Sequence, residues 1–140
     1  MDFSRYENLR ALVRANFSET TQRLVDEALE YADGKLAGVC RYDGAPMLDH
    51  AAAVASIVIS EVGLGRNSAV SSILHDVVRL AHKERPADEF LALTEEIRNR
   101  FGEQVVGITM GLANISELKL KTSKEQADNF RDLIVSYSED

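Results

Sequence analysis

Residues 47–62 read MLDHAAAVASIVISEV, and this stretch decides the class of fold. It is apolar on nearly every side, a pattern typical of a helix buried at the centre of a protein. The next predicted helix covers residues 69–81 and carries a narrower apolar stripe, formed by Val70, Ile73, Leu74, Val77 and Val78. Two such helices in succession predict a core built from packed helices.

Outside this pair, helical spacing of apolar residues predicts further helices over 4–15, after an N-cap at Ser18, over 88–100, over 105–112 and after Ser123. Glycine and proline predict a loop over 40–46, and polar residues around Pro86 predict a linker over 82–88. Gly102 is expected to stop the helix over 88–100, and a turn is predicted at 114–116, after the helix over 105–112. The prediction is a single all-α domain over residues 1–140.

Composition narrows the classes of function. The chain has 140 residues, 45% hydrophobic, with a formal net charge of −7, which argues against broad binding of nucleic acid or an anionic membrane. A single cysteine, Cys40, excludes an internal disulfide framework and a zinc–thiolate site. No signal-like or membrane-spanning run is evident in the sequence. We expect a cytoplasmic protein.

Three ionisable residues lie inside apolar helical sequence: His50, His75 and Asp76. Burying such groups unpaired costs about 1–3 kcal/mol each, so partners are expected. A divalent metal between the two helices would supply one, since imidazole and carboxylate suit Mn, Fe, Zn or Co. A buried His–Asp hydrogen bond without metal is an equally good interpretation of the periodicity.

The wider pattern is more specific. Arg41-x-x-Gly44-x-Pro46-x-x-x-His50 is followed by His75-Asp76, and later by a Phe-Gly-x-x-Val segment at 101–105 and Ala-Asp-Asn-Phe-Arg at 127–131. From about residue 24 to 140 the chain resembles the N-terminal HD hydrolase domain of the RelA/SpoT family. Those enzymes synthesise and degrade (p)ppGpp in the stringent response.

The resemblance implies an HD-type helical bundle and assigns roles to individual residues. His50, His75 and Asp76 correspond to three of four ligands of a divalent metal, which is Mn²⁺ in the family. The fourth is an aspartate in a later motif that this sequence does not reach. Arg41 corresponds to the residue that packs on the guanine base of ppGpp, because a planar guanidinium stacks on rings. Gly44 and Pro46 shape its loop.

One departure from the family pattern affects the chemistry. The family has Glu-Asp after His-Asp-x-x, whereas Arg79 and Leu80 occupy those positions here. The two acids are expected to orient and activate the attacking water, and neither arginine nor leucine can accept its proton. The prediction is a degenerate, hydrolase-inactive domain that regulates a (p)ppGpp synthetase domain. Arg79 could still attract a phosphate, so nucleotide binding can outlast hydrolysis.

Two other interpretations stay open. Glu84, Asp88 or Glu89 from the 82–89 segment could replace the lost acids and give an active, metal-dependent 3′-pyrophosphohydrolase. Alternatively, the chain is a helical interaction domain that binds neither metal nor nucleotide. Lys119, Lys121 and Lys124 form a basic cluster that we interpret as a solvated face.

The resemblance also implies more helices after Asp140, so we expect the bundle to be incomplete at its C-terminus. Missing helices would expose apolar residues of the last helix: Phe130, Leu133, Ile134 and Tyr137. A homodimer through that surface, contacts with other domains of a longer parent chain, and weak or no metal binding are the expected consequences.

Overall fold

A computed structural model describes residues 1–62, 65–116 and 123–138. Within these ranges the chain folds into seven α-helices, as the sequence predicts: α1 (Glu7–Asn16), α2 (Glu19–Lys35), α3 (Met47–Ile57), α4 (Arg66–Glu84), α5 (Ala87–Phe101), α6 (Glu103–Ser116) and α7 (Ser123–Ser138). A 3-10 turn, Phe3–Tyr6, precedes α1, and a π-helical turn, Val58–Val62, follows α3. Of the described helices, none has the length and apolarity needed to cross a membrane.

Helix α4 lies at the centre of the bundle and packs against α2, α3, α5 and α6. Its predicted apolar stripe is buried in full: Val70, Ile73, Leu74, Val77 and Val78. The side of α4 near α6 is lined with small polar residues, and Ser71 Oγ lies 3.4 Å from the carbonyl oxygen of Val105. Small side chains let two helix backbones approach closely, and the contact between α4 and α6 is the most extensive between any two of the described helices.

Two helix ends follow the sequence prediction. The side chain of Ser18 accepts a hydrogen bond from the backbone N–H of Thr21 at 3.3 Å, which caps α2. Gly102 ends α5 with φ of +103°, a conformation that residues with a Cβ rarely adopt. Both ends are set by local chemistry that the sequence displays directly.

Three boundary predictions are wrong. Residues 82–88 do not form a linker, because α4 continues to Glu84 and α5 begins at Ala87. The turn expected at 114–116 is the last part of α6, and the single helix expected over 47–62 changes to a π-helical turn at Val58. At Pro86 the reason is local, because proline is tolerated just before a helix, whereas α6 extends further because packed helices persist beyond their local sequence signals.

The expected exposure of Phe130 is also wrong. This residue of α7 is 0% exposed and packs in a second apolar cluster with Val54, Val58, Ile108 and Leu112. Leu133 is half-buried against the same cluster, while the side chains of Ile134 and Tyr137 lie outside the described residues. Helix α7 therefore packs over α3 and α6 through Phe130 and Leu133, two of the residues that we expected to be exposed.

Candidate functional site

The loop before α3 is a tight reversal that places Arg41 over the helix. Cys40 and Pro46 form an isolated antiparallel bridge, and the backbone N–H of Arg41 donates to Ala45 O at 2.8 Å. Gly44 has φ of +88°, which a residue with a Cβ would adopt only with strain. Pro46 directly precedes the first residue of α3. Gly44 and Pro46 thus shape this loop, as the sequence predicts.

Arg41 reaches the predicted ligand His50. Its Nη1 lies 2.5 Å from Nδ1 of His50, and its guanidinium carbon lies 5.5 Å from the centre of the Tyr42 ring. A guanidinium can only donate, so Nδ1 accepts, and the proton of the neutral imidazole is on Nε2. The structure therefore brings Arg41 and His50 together as a donor–acceptor pair.

His75 and Asp76 are enclosed in the middle of α4, at 0% and 2% exposure. Nδ1 of His75 donates to the carbonyl oxygen of Ser72 at 2.6 Å, and its Nε2 lies 3.3 Å from Oδ2 of Asp76. The ring of Phe130 meets the His75 ring edge-on, with centres 4.8 Å apart. Oδ2 of Asp76 accepts no hydrogen bond from any residue in the described part of the chain.

Arg79 and Leu80, which are predicted to occupy the positions of the family's acidic pair, have different surroundings. Nε of Arg79 donates to Oδ1 of Asp76 at 2.9 Å, and its Nη2 lies 4.0 Å from Sδ of Met47, the first residue of α3. Leu80 lines a small cavity of about 70 Å³ shared with Lys35 of α2 and Leu93 of α5. Only Arg79 adjoins the predicted metal-ligand residues.

These side chains can be tested for their fit to a metal ion. The uncompensated Oδ2 of Asp76, 3.3 Å from His75 Nε2, would favour a cation. However, Oδ1 of Asp76 already accepts from Arg79, and His50 accepts from Arg41. Among residues 1–62, 65–116 and 123–138, no three His, Cys, Asp or Glu side chains lie close enough to hold an ion. As arranged, the residues do not fit a metal.

The candidate replacement acids are placed on helices. Glu84 is the last residue of α4 and lines the same small cavity as Leu80. Asp88 and Glu89 are exposed in the first turn of α5. The proposed loop at 82–89 therefore does not exist as a loop, and Glu84 faces the side of α4 occupied by Leu80.

The buried helical centre, with adjacent His75 and Asp76 on α4 and His50 on α3, defines the class of domain. An HD-domain family model matches residues 28–140, and the chain belongs to that family. Proteins of this family are generally metal-dependent, which makes the two arginine contacts of this site notable.

Individual relatives narrow the class to homologues of the RelA/SpoT enzymes. The chain is 31% identical over 116 residues to a guanosine-3′,5′-bis(diphosphate) 3′-pyrophosphohydrolase of Aquifex aeolicus, covering 83% of this chain and 15% of the relative. It is 33% identical over 104 residues to the protein of the same name from Haemophilus influenzae, covering 74% and 14%. A GTP pyrophosphokinase of Myxococcus xanthus is 29% identical over 121 residues, covering 84% and 15%. The chain thus spans about one seventh of the length of these curated relatives.

Sequence reasoning missed two residues of the site. The sequence predicts an exposed position for Phe130, although its ring covers His75. No sequence signal indicates that Met47 lies beside Arg79. The Phe130 position does lie in the family-like segment at 127–131, which is a signal for a role near the site. Of the basic cluster, Lys119 and Lys121 lie outside the described residues, and Lys124 is exposed.

Proposed function

We propose that this chain is the hydrolase-inactive HD domain of a RelA/SpoT-type protein of the stringent response. In this proposal the parent is chiefly a (p)ppGpp synthetase, and the HD domain regulates the synthetase domain. The single observation that carries the proposal is the Nε of Arg79 bound to Oδ1 of Asp76 at 2.9 Å. A cation that cannot accept a proton stands where hydrolysis needs an acid.

The charge at the site supports the same proposal. Metal-assisted hydrolysis of a 3′-pyrophosphate needs an oriented hydroxide and a proton acceptor beside it. Arg79 supplies positive charge and only donors, and Leu80 lies against the α2 and α5 side of the helix. With Arg41 nearby, the site keeps groups that attract a guanine ring and phosphate oxygens. Retained nucleotide binding without hydrolysis follows.

The test is an assay of the full-length protein for Mn²⁺-dependent release of pyrophosphate from ppGpp. The Aquifex aeolicus relative, assayed in parallel, is the positive control. We expect no turnover above background, together with pyrophosphate transfer from ATP to GDP or GTP. Hydrolysis at a rate comparable to that of the control would overturn the proposal.

Binding is tested separately, because inactivity alone does not distinguish a nucleotide sensor from a purely helical interaction domain. We expect ppGpp to bind the HD domain of the full-length protein. Arg41→Ala should weaken the affinity of the HD domain for ppGpp. If Arg41→Ala leaves every ppGpp affinity unchanged, the interaction-domain alternative is favoured.

The remaining assignments belong to the same proposal. The protein acts in the cytoplasm, its partners are ppGpp and the other domains of the parent chain, and Mn²⁺ is held weakly or not at all. His50, His75 and Asp76 keep the positions of the metal ligands. A homodimer stays a prediction that depends on Ile134 and Tyr137, because Phe130 is buried within the chain.

A further inference from the structure

The ionised carboxylate of Asp76 needs a positively charged partner, because it is buried. The residue is 2% exposed, and an ionised group removed from water is strongly destabilised unless it is paired. In an HD domain that charge would come from a metal. Here the nearest cationic side chain contact is Arg79, whose Nε binds Oδ1 at 2.9 Å.

Arg79 is placed to remain at this position. It is three residues after Asp76 on the same helix, so the two side chains share one face of α4. Its side chain is 15% exposed, and Nη2 approaches Sδ of Met47 on α3 at 4.0 Å. The guanidinium therefore lies between α3 and α4, the two helices that carry His50, His75 and Asp76.

A second arginine acts in the same way on the other helix. Arg41 donates to Nδ1 of His50, so this nitrogen cannot also give its lone pair to an ion. A divalent ion near Asp76 would in addition be repelled by the Arg79 guanidinium a few ångströms away. Both arginine contacts disfavour a metal ion between His50 and Asp76, where the family motif predicts one.

We propose that Arg79 is the permanent counter-cation of Asp76, so that this HD site is neutralised by a side chain and is complete without a metal. This inference rests on the proposed function only for the correspondence of Asp76 to a metal-ligand position. Its consequence is that folding and any regulatory contact of the domain are independent of the metal supply.

The test is a thermal unfolding study of the purified chain and a double-mutant cycle. Arg79→Met keeps the hydrocarbon part of the side chain and removes the charge, whereas Arg79→Lys keeps the charge. Arg98→Met is the matched control, since the half-buried Arg98 pairs with the exposed Glu95 at the same spacing and also with the exposed Glu103. Asp76→Asn removes the charge that Arg79 is proposed to neutralise.

We expect Arg79→Met to lower the thermal unfolding midpoint by several degrees. Arg79→Lys, which keeps the charge, should lower the midpoint less. Combining Arg79→Met with Asp76→Asn should restore most of the loss, and excess MnCl2 should leave the wild-type midpoint unchanged. If Arg79→Met costs no more than Arg98→Met, or if Mn²⁺ stabilises the wild type, the proposal is overturned. If the cycle shows no coupling between Arg79 and Asp76 while the full-length protein still does not hydrolyse ppGpp, this inference fails and the proposed function stands, so the two failures are distinguishable.

Discussion

Two arginine–carboxylate pairs in this protein have the same spacing and different surroundings. Asp76 and Arg79 on α4, and Glu95 and Arg98 on α5, are both separated by three residues on a helix. The carboxylate side chain is 3% exposed in the first pair and 62% exposed in the second. Equal sequence spacing therefore coexists with very different access of water to the acid.

The physical reason is solvation. Water can replace Arg98 at Glu95, so an exposed pair contributes little to folding. Water has almost no access to Asp76, and removing one partner of a buried pair leaves an uncompensated charge, at a cost of about 3–5 kcal/mol. A carboxylate and an arginine three residues apart on one helix are therefore expected to depend on each other only where distant segments of the chain exclude water from them.

The largest expected loss of stability comes from removing the side chain that covers His75. Phe130 is 0% exposed and covers the His75 ring, so Phe130→Ala should lower the free energy of unfolding by about 3–5 kcal/mol. Urea denaturation measures this loss, with Leu91→Ala as the control, because Leu91 is 62% exposed. Equal losses in the two variants would show that α7 does not enclose the site.

The comparison itself is tested by removing each arginine. Arg79→Ala should lower the free energy of unfolding by about 3 kcal/mol, because Asp76 loses its cation while it stays buried. Arg98→Ala should leave the urea midpoint unchanged within error. The comparison fails if both substitutions have the same effect.

A third ion pair, of intermediate exposure, tests whether burial determines how much free energy of unfolding is lost when the arginine is removed. Arg10 binds Asp26 through Nε at 3.0 Å and Nη2 at 3.1 Å, and both side chains are about 30% exposed (28% and 31%). We expect Arg10→Ala to lower the free energy of unfolding by about 1 kcal/mol, between the other two arginines. A loss equal to that of Arg79→Ala would contradict the proposed dependence on exposure.

The smallest effect is confined to alkaline pH. Burial of the Tyr6 phenol, followed by its hydrogen bond to Asp49 Oδ1 at 3.0 Å, raises the pKa of Tyr6 from 10.0 to about 12. A raised folded-state pKa gives stability that is present below pH 10 and is lost between about pH 10 and 12. Tyr6→Phe should therefore show a shallower fall of the unfolding free energy in that window. Identical pH profiles for the two proteins would contradict the assignment.

Local sequence signals predicted the fold well where the cause is local. The apolar stripe of α4, the Ser18 cap and the end of α5 at Gly102 all follow from residues within one or two turns. The linker expected around Pro86 was wrong because proline is also tolerated just before a helix, and α5 begins at the next residue. Proline alone did not distinguish a loop from a direct helix–helix junction.

The candidate site was predicted only in part. The family-like motif identified Arg41, His50, His75 and Asp76, and it singled out Arg79 as an anomaly. It did not indicate that Arg41 binds His50, or that Arg79 binds Asp76 and approaches Met47. These contacts depend on how the loop and α3 are placed against α4, which a motif does not specify.

The amino-acid sequence by itself determined the helical class, the positions of His50, His75 and Asp76 within apolar helical sequence, and the presence of Arg79 and Leu80 three and four residues after Asp76. Helical periodicity and residue identity are sufficient for these conclusions. Only the tertiary structure decided that Phe130 is enclosed and that Arg79 neutralises Asp76. Burial is created by segments far apart in the chain, and burial is what makes the choice of counter-cation matter.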